Sequence, residues 1–295
     1  VNLGPPPRRI TVDADQVRRL VAEQFPQWTD LPVRPVAEGG WDNRTFHLGD
    51  ALTARLPSAA EYALAVEKEQ RWLPVLAPRL PVPIPVPLAE GRPGADYPFA
   101  WSIHPWLVGE PARRERVADP VGFAADLAGF LAALRSVDTD GAPRPGKHNW
   151  FRGGTLRTFD ELVQRSLDGH DWAGEIWQAA LDTPWDGVER WFHGDVAEGN
   201  LLLDGGELAA VIDFGTCGAG DPACDLAIAW TLLTADGRRA FRERLAVDDA
   251  EWARGRGWAL WKTLVTCART KGRDDREAME ARRVLDEIRL EYLKS

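Results

Sequence analysis

The stretch His193-Gly194-Asp195-Val196-Ala197-Glu198-Gly199-Asn200, followed by Leu201-Leu202-Leu203, Asp204-Gly205-Gly206, Leu208 to Ile212 and Asp213-Phe214-Gly215, decides how the chain reads. Leu201–Leu203 and 208–212 are two apolar runs around an Asp-Gly-Gly turn, which predicts one β-hairpin. A loop precedes the hairpin and carries Asp195 and Asn200; a second Asp, Asp213, closes it. Moving a phosphoryl group from a nucleotide needs one carboxylate to orient or deprotonate an acceptor hydroxyl. It also needs two oxygen ligands to hold Mg²⁺ against the phosphates. Asp195 fits the first requirement, and Asn200 and Asp213 fit the second. Each piece occurs widely; the combination of loop, short hairpin and Asp-Phe-Gly is specific.

Working outward, the segment after Gly109 reads as mostly helical. Candidate helices cover 119–136, 158–168, 172–181, 221–234, 237–245, 249–269 and 275–292. Before Gly109 the pattern differs. Residues 12–25 read as a helix with Asp13 as N-cap and Val17, Leu20, Val21 and Phe25 on one face. Three β runs follow, from 33 to Ala37, from Trp41 to Leu48 and from Ala51 to Leu56, joined by Glu38-Gly39-Gly40 and Gly49-Asp50 turns. A helix over 59–77, a proline-alternating extended segment Pro81–Pro87 and a buried strand within 97–108 complete this part.

Composition is that of a folded chain of 295 residues, 44% hydrophobic and 27% charged. Lys and Arg number 36 against 45 Asp and Glu, a net charge of −9. Such a balance does not suit nucleic-acid backbones and points away from a nucleic-acid partner. The most apolar stretches, 123–134 and 223–233, are interrupted by Asp126 and Asp225 and are too short to span a bilayer, so no membrane partner is expected. No leader segment is expected from the residues at the start, and the 3 cysteines (Cys217, Cys224, Cys267) are an odd count without zinc spacing. A reduced, cytoplasmic protein is expected; Asn43-Arg44-Thr45 is then no glycosylation site.

The His193–Asn200 loop with Asp213-Phe214-Gly215 resembles the catalytic segment of the aminoglycoside phosphotransferase family, whose fold is similar to that of eukaryotic protein kinases. Gly194 stands where protein kinases usually carry Arg, as in small-molecule kinases. Gly220-Asp221-Pro222-Ala223-Cys224-Asp225 is similar to the family's next motif as well. The likeness runs from about Glu38 to the last helices. It implies an α+β, two-lobe kinase-like fold: a small β-rich N-lobe over 1–104 that binds nucleotide, a hinge over 105–109 and a mainly helical C-lobe over 110–295. It also implies Mg²⁺ and ATP or GTP. Asp195, Asn200 and Asp213 are then the catalytic residues, with Asn200 and Asp213 on the metal. His193 fixes the loop by hydrogen bonding, and Asp225 braces it.

On the N-terminal side the resemblance implies a strand cation on the nucleotide phosphates. The matching strand reads Leu52-Thr53-Ala54-Arg55-Leu56, so the cation is Arg55 in place of the usual Lys, a substitution that changes donor geometry. Its carboxylate partner on the next helix is Glu67 or Glu69, with Glu69 preferred. Glu38-Gly39-Gly40-Trp41-Asp42-Asn43 lacks the spacing of protein-kinase glycine loops; Gly39 and Gly40 either face phosphate or form a plain hairpin turn. The connector Ile103–Gly109 is the implied hinge, with Pro105 offering its carbonyl and Leu107 its N–H to the base. Trp106 and Leu107 read equally as lobe-interface core.

Other signals carry less. Gly141 to His148 imitates a Walker A loop but lacks its Ser/Thr and a preceding strand. Gly218-Ala219-Gly220-Asp221-Pro222-Ala223 matches a dinucleotide fingerprint, with a proline inside the turn. Trp252, Trp258 and Trp261, among 14 tryptophans, read first as core and second as an acceptor wall. Asp248, Asp249 and Glu251 read first as favourable charges at a helix start and second as a contact for a polyamine substrate. The expected acceptor is a cationic small molecule of aminoglycoside type. Choline-, homoserine- and sugar-like acceptors, and a catalytically silent nucleotide-binding protein, are the alternatives. Too few residues follow Gly215 to form a peptide-holding loop, which disfavours a protein kinase.

Overall fold

The computed structural model describes residues 7–37 and 40–294. Its first part is an antiparallel sheet of β1 (Val33–Pro35), β2 (Asn43–Leu48), β3 (Leu52–Pro57), β4 (Ala89–Gly91) and β5 (Trp101–Pro105), in the order β1-β2-β3-β5-β4. Helix α1 (Ala14–Gln24) covers one face, capped by the Asp13 carboxylate, which accepts the Gln16 N–H at 2.8 Å. Such a cap is worth about 1 kcal/mol. Val17, Leu20 and Val21 of α1 pack with Leu48, Ala54, Leu56, Trp101 and Ile103 in one core. Side chains alternate along a strand. Ala54 and Leu56 therefore enter that core, while Thr53 and Arg55 face the opposite side.

Helix α2 (Ala60–Leu76) lies on that opposite side. Its apolar residues Trp72, Leu73 and Leu76 do not join the core under α1; they belong to the larger core of the helical part. The proline segment 81–87 lies outside any strand, as its composition demands, but it is not extended throughout: the Val86 N–H closes a tight turn on the Ile84 carbonyl at 2.8 Å.

The helical part holds α3 (Pro120–Arg135), α4 (Asp160–Ser166), α5 (Asp171–Asp182), α6 (Ile228–Thr231), α7 (Ala235–Leu245), α8 (Asp249–Arg269) and α9 (Arg276–Tyr292). Short strands serve the loop that joins them. β6 (Glu110–Pro111), β8 (Leu201–Asp204) and β9 (Glu207–Val211) form one small sheet, and β7 (Arg190–Phe192) pairs with β10 (Gly218–Gly220). The β8–β9 hairpin is the one read from the sequence. Trp252, Trp258 and Trp261 are buried in the core, so packing is their role. Asp248 caps α8 through the Glu251 N–H at 2.7 Å, and Glu251 pairs with Arg135 at 2.8 Å, so the acidic cluster is structural.

Three local expectations need correction. The helix expected over 221–234 is a 3₁₀ run, Pro222–Ala227, followed only by the single turn of α6. Pro222 starts the run and the Asp221 side chain caps it at the Ala223 N–H, 3.1 Å away. The tighter winding turns the buried Asp225 carboxylate toward the loop after β7. The strand expected from Trp41 begins at Asn43, because Trp41 and Asp42 leave the sheet to form its approach. The strand within 97–108 spans Trp101–Pro105 alone, since an isolated bridge between Gly94 and Tyr97 turns the chain just before it. Glu38 and Gly39, and with them half of the proposed glycine turn, lie outside the described residues.

Candidate active site

The loop from His193 to Asn200 links β7 to β8 and is fastened at both ends. Asp225 accepts the His193 N–H at 2.8 Å through Oδ2 and the Gly194 N–H at 2.7 Å through Oδ1. The His193 ring donates from Nε2 to the Ile212 carbonyl at 2.9 Å and accepts the Asp195 N–H at Nδ1, 3.2 Å away. This pair of contacts fixes the neutral tautomer. The ring also meets Phe214 edge-on at 4.5 Å. His193 thus ties the start of the loop to the end of the hairpin, and Asp225 braces it from below.

Gly194 has φ +84°, and a Cβ there would stand 2.7 Å from the Thr216 carbonyl oxygen. No other residue fits without moving that backbone. The glycine that distinguishes this loop from that of protein kinases is therefore a steric requirement.

Asp195 and Asn200 come together. The Asn200 amide donates to the Asp195 carbonyl at 2.9 Å and to Asp195 Oδ2 at 3.2 Å. Its own Oδ1 keeps no protein partner among the described residues. The other Asp195 oxygen, Oδ1, accepts from Lys262 Nζ at 2.7 Å. Arg152 lies close by, donating to the Gly194 carbonyl at 3.1 Å and stacked over Trp261 at 4.5 Å. Burial alone would raise the Asp195 pKa, but Lys262 and Arg152 outweigh it and hold the carboxyl well below the usual carboxylate range. Asp195 is an anion at any physiological pH.

Asp213 sits across the hairpin in the left-handed region, φ 65° and ψ 66°, which Asp tolerates better than most residues. Its Oδ1 accepts from Arg55 Nη2 at 3.1 Å, and Arg55 Nη1 lies 3.7 Å from Glu69 Oε2. Glu69 is buried in the cleft, while Glu67 is exposed. Burial opposes the Arg55 charge, but Glu69 and Asp213 raise its pKa further.

Four residues here escaped the sequence reading: Lys262, Arg152, Asp42 and Lys68. Asp42, just before β2, is the acidic neighbour of Asp213 and Asp195. Burial first, and then those two charges, push its carboxyl up to about 7. Lys68 donates to the Gly215 carbonyl at 2.6 Å and the Cys217 carbonyl at 3.1 Å, with His148 Nδ1 at 3.4 Å. His148 Nε2 donates to the Arg144 carbonyl at 2.8 Å, which leaves Nδ1 as an acceptor. All three ammonium protons of Lys68 therefore have acceptors, and every acceptor is neutral.

At the connector, the Trp106 N–H donates to the Ala51 carbonyl at 2.7 Å, and its ring packs on His47 at 4.3 Å. Leu107 makes no backbone hydrogen bond among the described residues. Gly40 is exposed, and an added Cβ would meet only the Asn43 carbonyl at 4.0 Å.

Asp213 Oδ2 and Asn200 Oδ1 are hard oxygen donors of the kind Mg²⁺ prefers. Asp42, Asp195 and Asp213 stand near one another here, a grouping of carboxylates whose repulsion a divalent cation would offset. Among the described residues no three His, Cys, Asp or Glu side chains form a metal cage by themselves. A Mg²⁺ here would draw its remaining ligands from phosphate and water, as is usual for this ion. The site therefore fits Mg²⁺. Two cavities of about 280 and 360 Å³ open around Arg254 and Trp185, and neither is lined by Asp195, Asn200 or Asp213.

The chain is similar to several solved structures. The GDP and kanamycin complex of APH(2")-IIia superposes with a TM-score of 0.74 at 20% identity, covering 93% of this chain and 98% of that one. The GDP complex of wild-type aminoglycoside 2'-phosphotransferase-IIIa gives 0.75 at 17% identity, covering 95% and 100%. Macrolide 2'-phosphotransferase MphH from Brachybacterium faecium gives 0.59 at 20% identity, covering 93% and 98%. At these identities the likeness shows the kinase-like fold. No curated protein matches the chain by sequence. Among the described residues no helix is long and apolar enough to cross a membrane. The model of the phosphotransferase enzyme family, APH, matches residues 33–258. With that match over most of its length, the chain belongs to the APH phosphotransferase family and is a small-molecule kinase.

Proposed function

We propose that the protein transfers the γ-phosphoryl group of a Mg²⁺-bound ATP or GTP to a hydroxyl of a small acceptor held at Asp195. The observation that carries this reading is the meeting of Asp195, Asn200, Asp213 and Arg55 across one cleft. The nucleotide lies between the sheet of residues 1–104 and the helical part from 110 onward. Its base meets the 105–109 connector, where the Leu107 N–H and Pro105 carbonyl serve its edge and Trp106 backs the contact. Arg55, held by Glu69, contacts the phosphates. Asn200 and Asp213 would hold Mg²⁺, which would supply positive charge against that developing during transfer.

Asp195 accepts the hydrogen bond of the acceptor hydroxyl. Because the transition state for this reaction is loose, its main contribution is to orient the oxygen, and it takes the proton late. His193 and Asp225 keep the loop in place without touching substrate.

One acceptor class carried to the test is an aminoglycoside-type antibiotic. Support comes from the net charge of −9 and from fold similarity to a kanamycin complex. A second reading, an acceptor with fewer amines such as a macrolide, is favoured by the Lys262–Asp195 ion pair, which places a cation where the acceptor enters.

The test is nucleotide consumption with Mg²⁺, ATP or GTP, and a panel of aminoglycosides, macrolides and choline-, homoserine- and sugar-like alcohols. The Asp195→Ala variant serves as blank. Acceptor-dependent turnover in the wild type, lower by about 10³-fold in the variant, with nucleotide affinity kept within about threefold, is expected. Equal turnover in the variant removes Asp195 from the reaction. Nucleotide binding without turnover on any acceptor supports a silent binding protein instead.

A further inference from the structure

We propose that Lys262 is a specificity-determining residue that limits the charge of the acceptor, favouring molecules with at most one ammonium group. The inference rests on the reading of Asp195 as the carboxylate that meets the acceptor hydroxyl.

Lys262 projects from α8 to place Nζ 2.7 Å from Asp195 Oδ1. Asn200 holds the other carboxylate oxygen, so both are engaged before any acceptor arrives. The pair is not sealed in the core: the two side chains are 25% and 37% exposed, so they face the open cleft. An acceptor hydroxyl that reaches Asp195 must therefore share the carboxylate with an ammonium already in contact.

The next carboxylate along the loop, Glu198, stands in a mixed group, with Arg276 at 3.7 Å and Arg113 near it, and Glu280 and Glu115 beside them. Arg152 adds a further cation on the Asp195 side, stacked over Trp261. A polycationic acceptor is held by carboxylates that lack partners. Here the carboxylate that meets the hydroxyl must first be stripped of a cation, and the acceptor's own amines come within a few ångströms of Lys262. At that range like charges repel by more than the thermal energy, even with solvent screening. The chain's net negative charge does not offset this, because distant surface carboxylates are screened beyond about 10 Å.

The experiment is titration calorimetry of the full chain with saturating Mg²⁺ and a non-hydrolysable nucleotide. The probes are kanamycin, a polycation, and erythromycin, which carries one amine. Wild type, Lys262→Met and Lys262→Arg are compared, and melting curves verify that each variant is folded. Met keeps the length and the apolar stem of Lys while removing its charge. The expected result is a gain in kanamycin affinity of about tenfold in the Met variant, with erythromycin moving less than about threefold and the Arg variant matching wild type. A kanamycin-to-erythromycin ratio that does not move in the Met variant overturns the proposal. So does an equal shift in the Arg variant, and so does failure of both compounds to bind any of the three proteins. Adding Asp195→Asn to the Met variant separates the two readings. Loss of the kanamycin gain supports both. A gain that persists overturns Asp195 as the acceptor's carboxylate, because the charge effect then acts without it.

Discussion

Asp195 and Asp213 flank one hairpin, yet they are held in opposite ways. The Asp195 loop is fixed from within the helical part, by two N–H bonds to Asp225, the His193 ring and the Asn200 amide. Asp213 rests on a left-handed backbone, and its side-chain partner, Arg55, comes from the sheet. The acceptor side is thus preorganised by one part of the molecule. The nucleotide side is completed only when the sheet is in place. Charge follows the same division: Asp195 is locked as an anion by two cations, while the Asp42 carboxyl beside Asp213 titrates near 7.

The contrast can be broken most severely at Asp225. Asp225→Ala leaves two buried N–H groups without acceptors, and each costs about 1–3 kcal/mol. Urea unfolding is expected to show a loss of about 3 kcal/mol or more; a loss under about 1 kcal/mol means the brace is dispensable. Next comes Lys68→Met, which frees the Gly215 and Cys217 carbonyls. We expect about 2 kcal/mol less stability and weaker Mg²⁺-nucleotide binding, with acceptor affinity unchanged; a parallel fall in both affinities argues against two separate supports.

Arg55→Lys keeps the charge but loses the planar fork. Nucleotide titration should show Kd rising about fivefold, near 1 kcal/mol. An unaltered Kd places Arg55 outside the phosphate site. The smallest effect is at His104, buried on β5. Burial, with Arg55 adding to it, lowers its pKa from 6.5 to about 3. The unfolded chain therefore binds a proton that the folded chain refuses, and stability falls as pH drops below the ordinary value. Between about pH 7 and about pH 5.5 His104 accounts for about 1 kcal/mol of that fall. His104→Gln should flatten urea midpoints against pH by this amount, and an identical slope in both proteins refutes it.

What could be read from sequence follows the range of the interactions. The Asp195–Asn200 spacing, the hairpin and Asp213 lie within a few turns of one another, so local pattern reveals them. Asp225 was legible because its motif is local as well, although its setting in a 3₁₀ run was not: apolar composition over 221–234 looks helical, and only the turn toward His193 explains the tighter winding. Lys68 and Lys262 reach partners 147 and 67 residues away. Nothing near Lys68 in sequence marks it, since a lysine in a helix beside glutamates ordinarily points to water. Arg152 is hidden for the same reason. A buried cation is a product of packing between distant elements, and no short window contains it.

The Lys68 contacts have a mechanical consequence. By chain order α2 stands among the strands of the sheet. By attachment it is fastened to residues 215–217, and Trp72, Leu73 and Leu76 are embedded in the larger core. Gln70 Nε2, on the same helix, donates to the Ala89 carbonyl and to Ser102 Oγ of the sheet, each at 3.2 Å. The Arg55–Glu69 contact, at 3.7 Å, adds a further tie to β3. The helix is therefore the rivet between the two parts, bonded to each by different side chains.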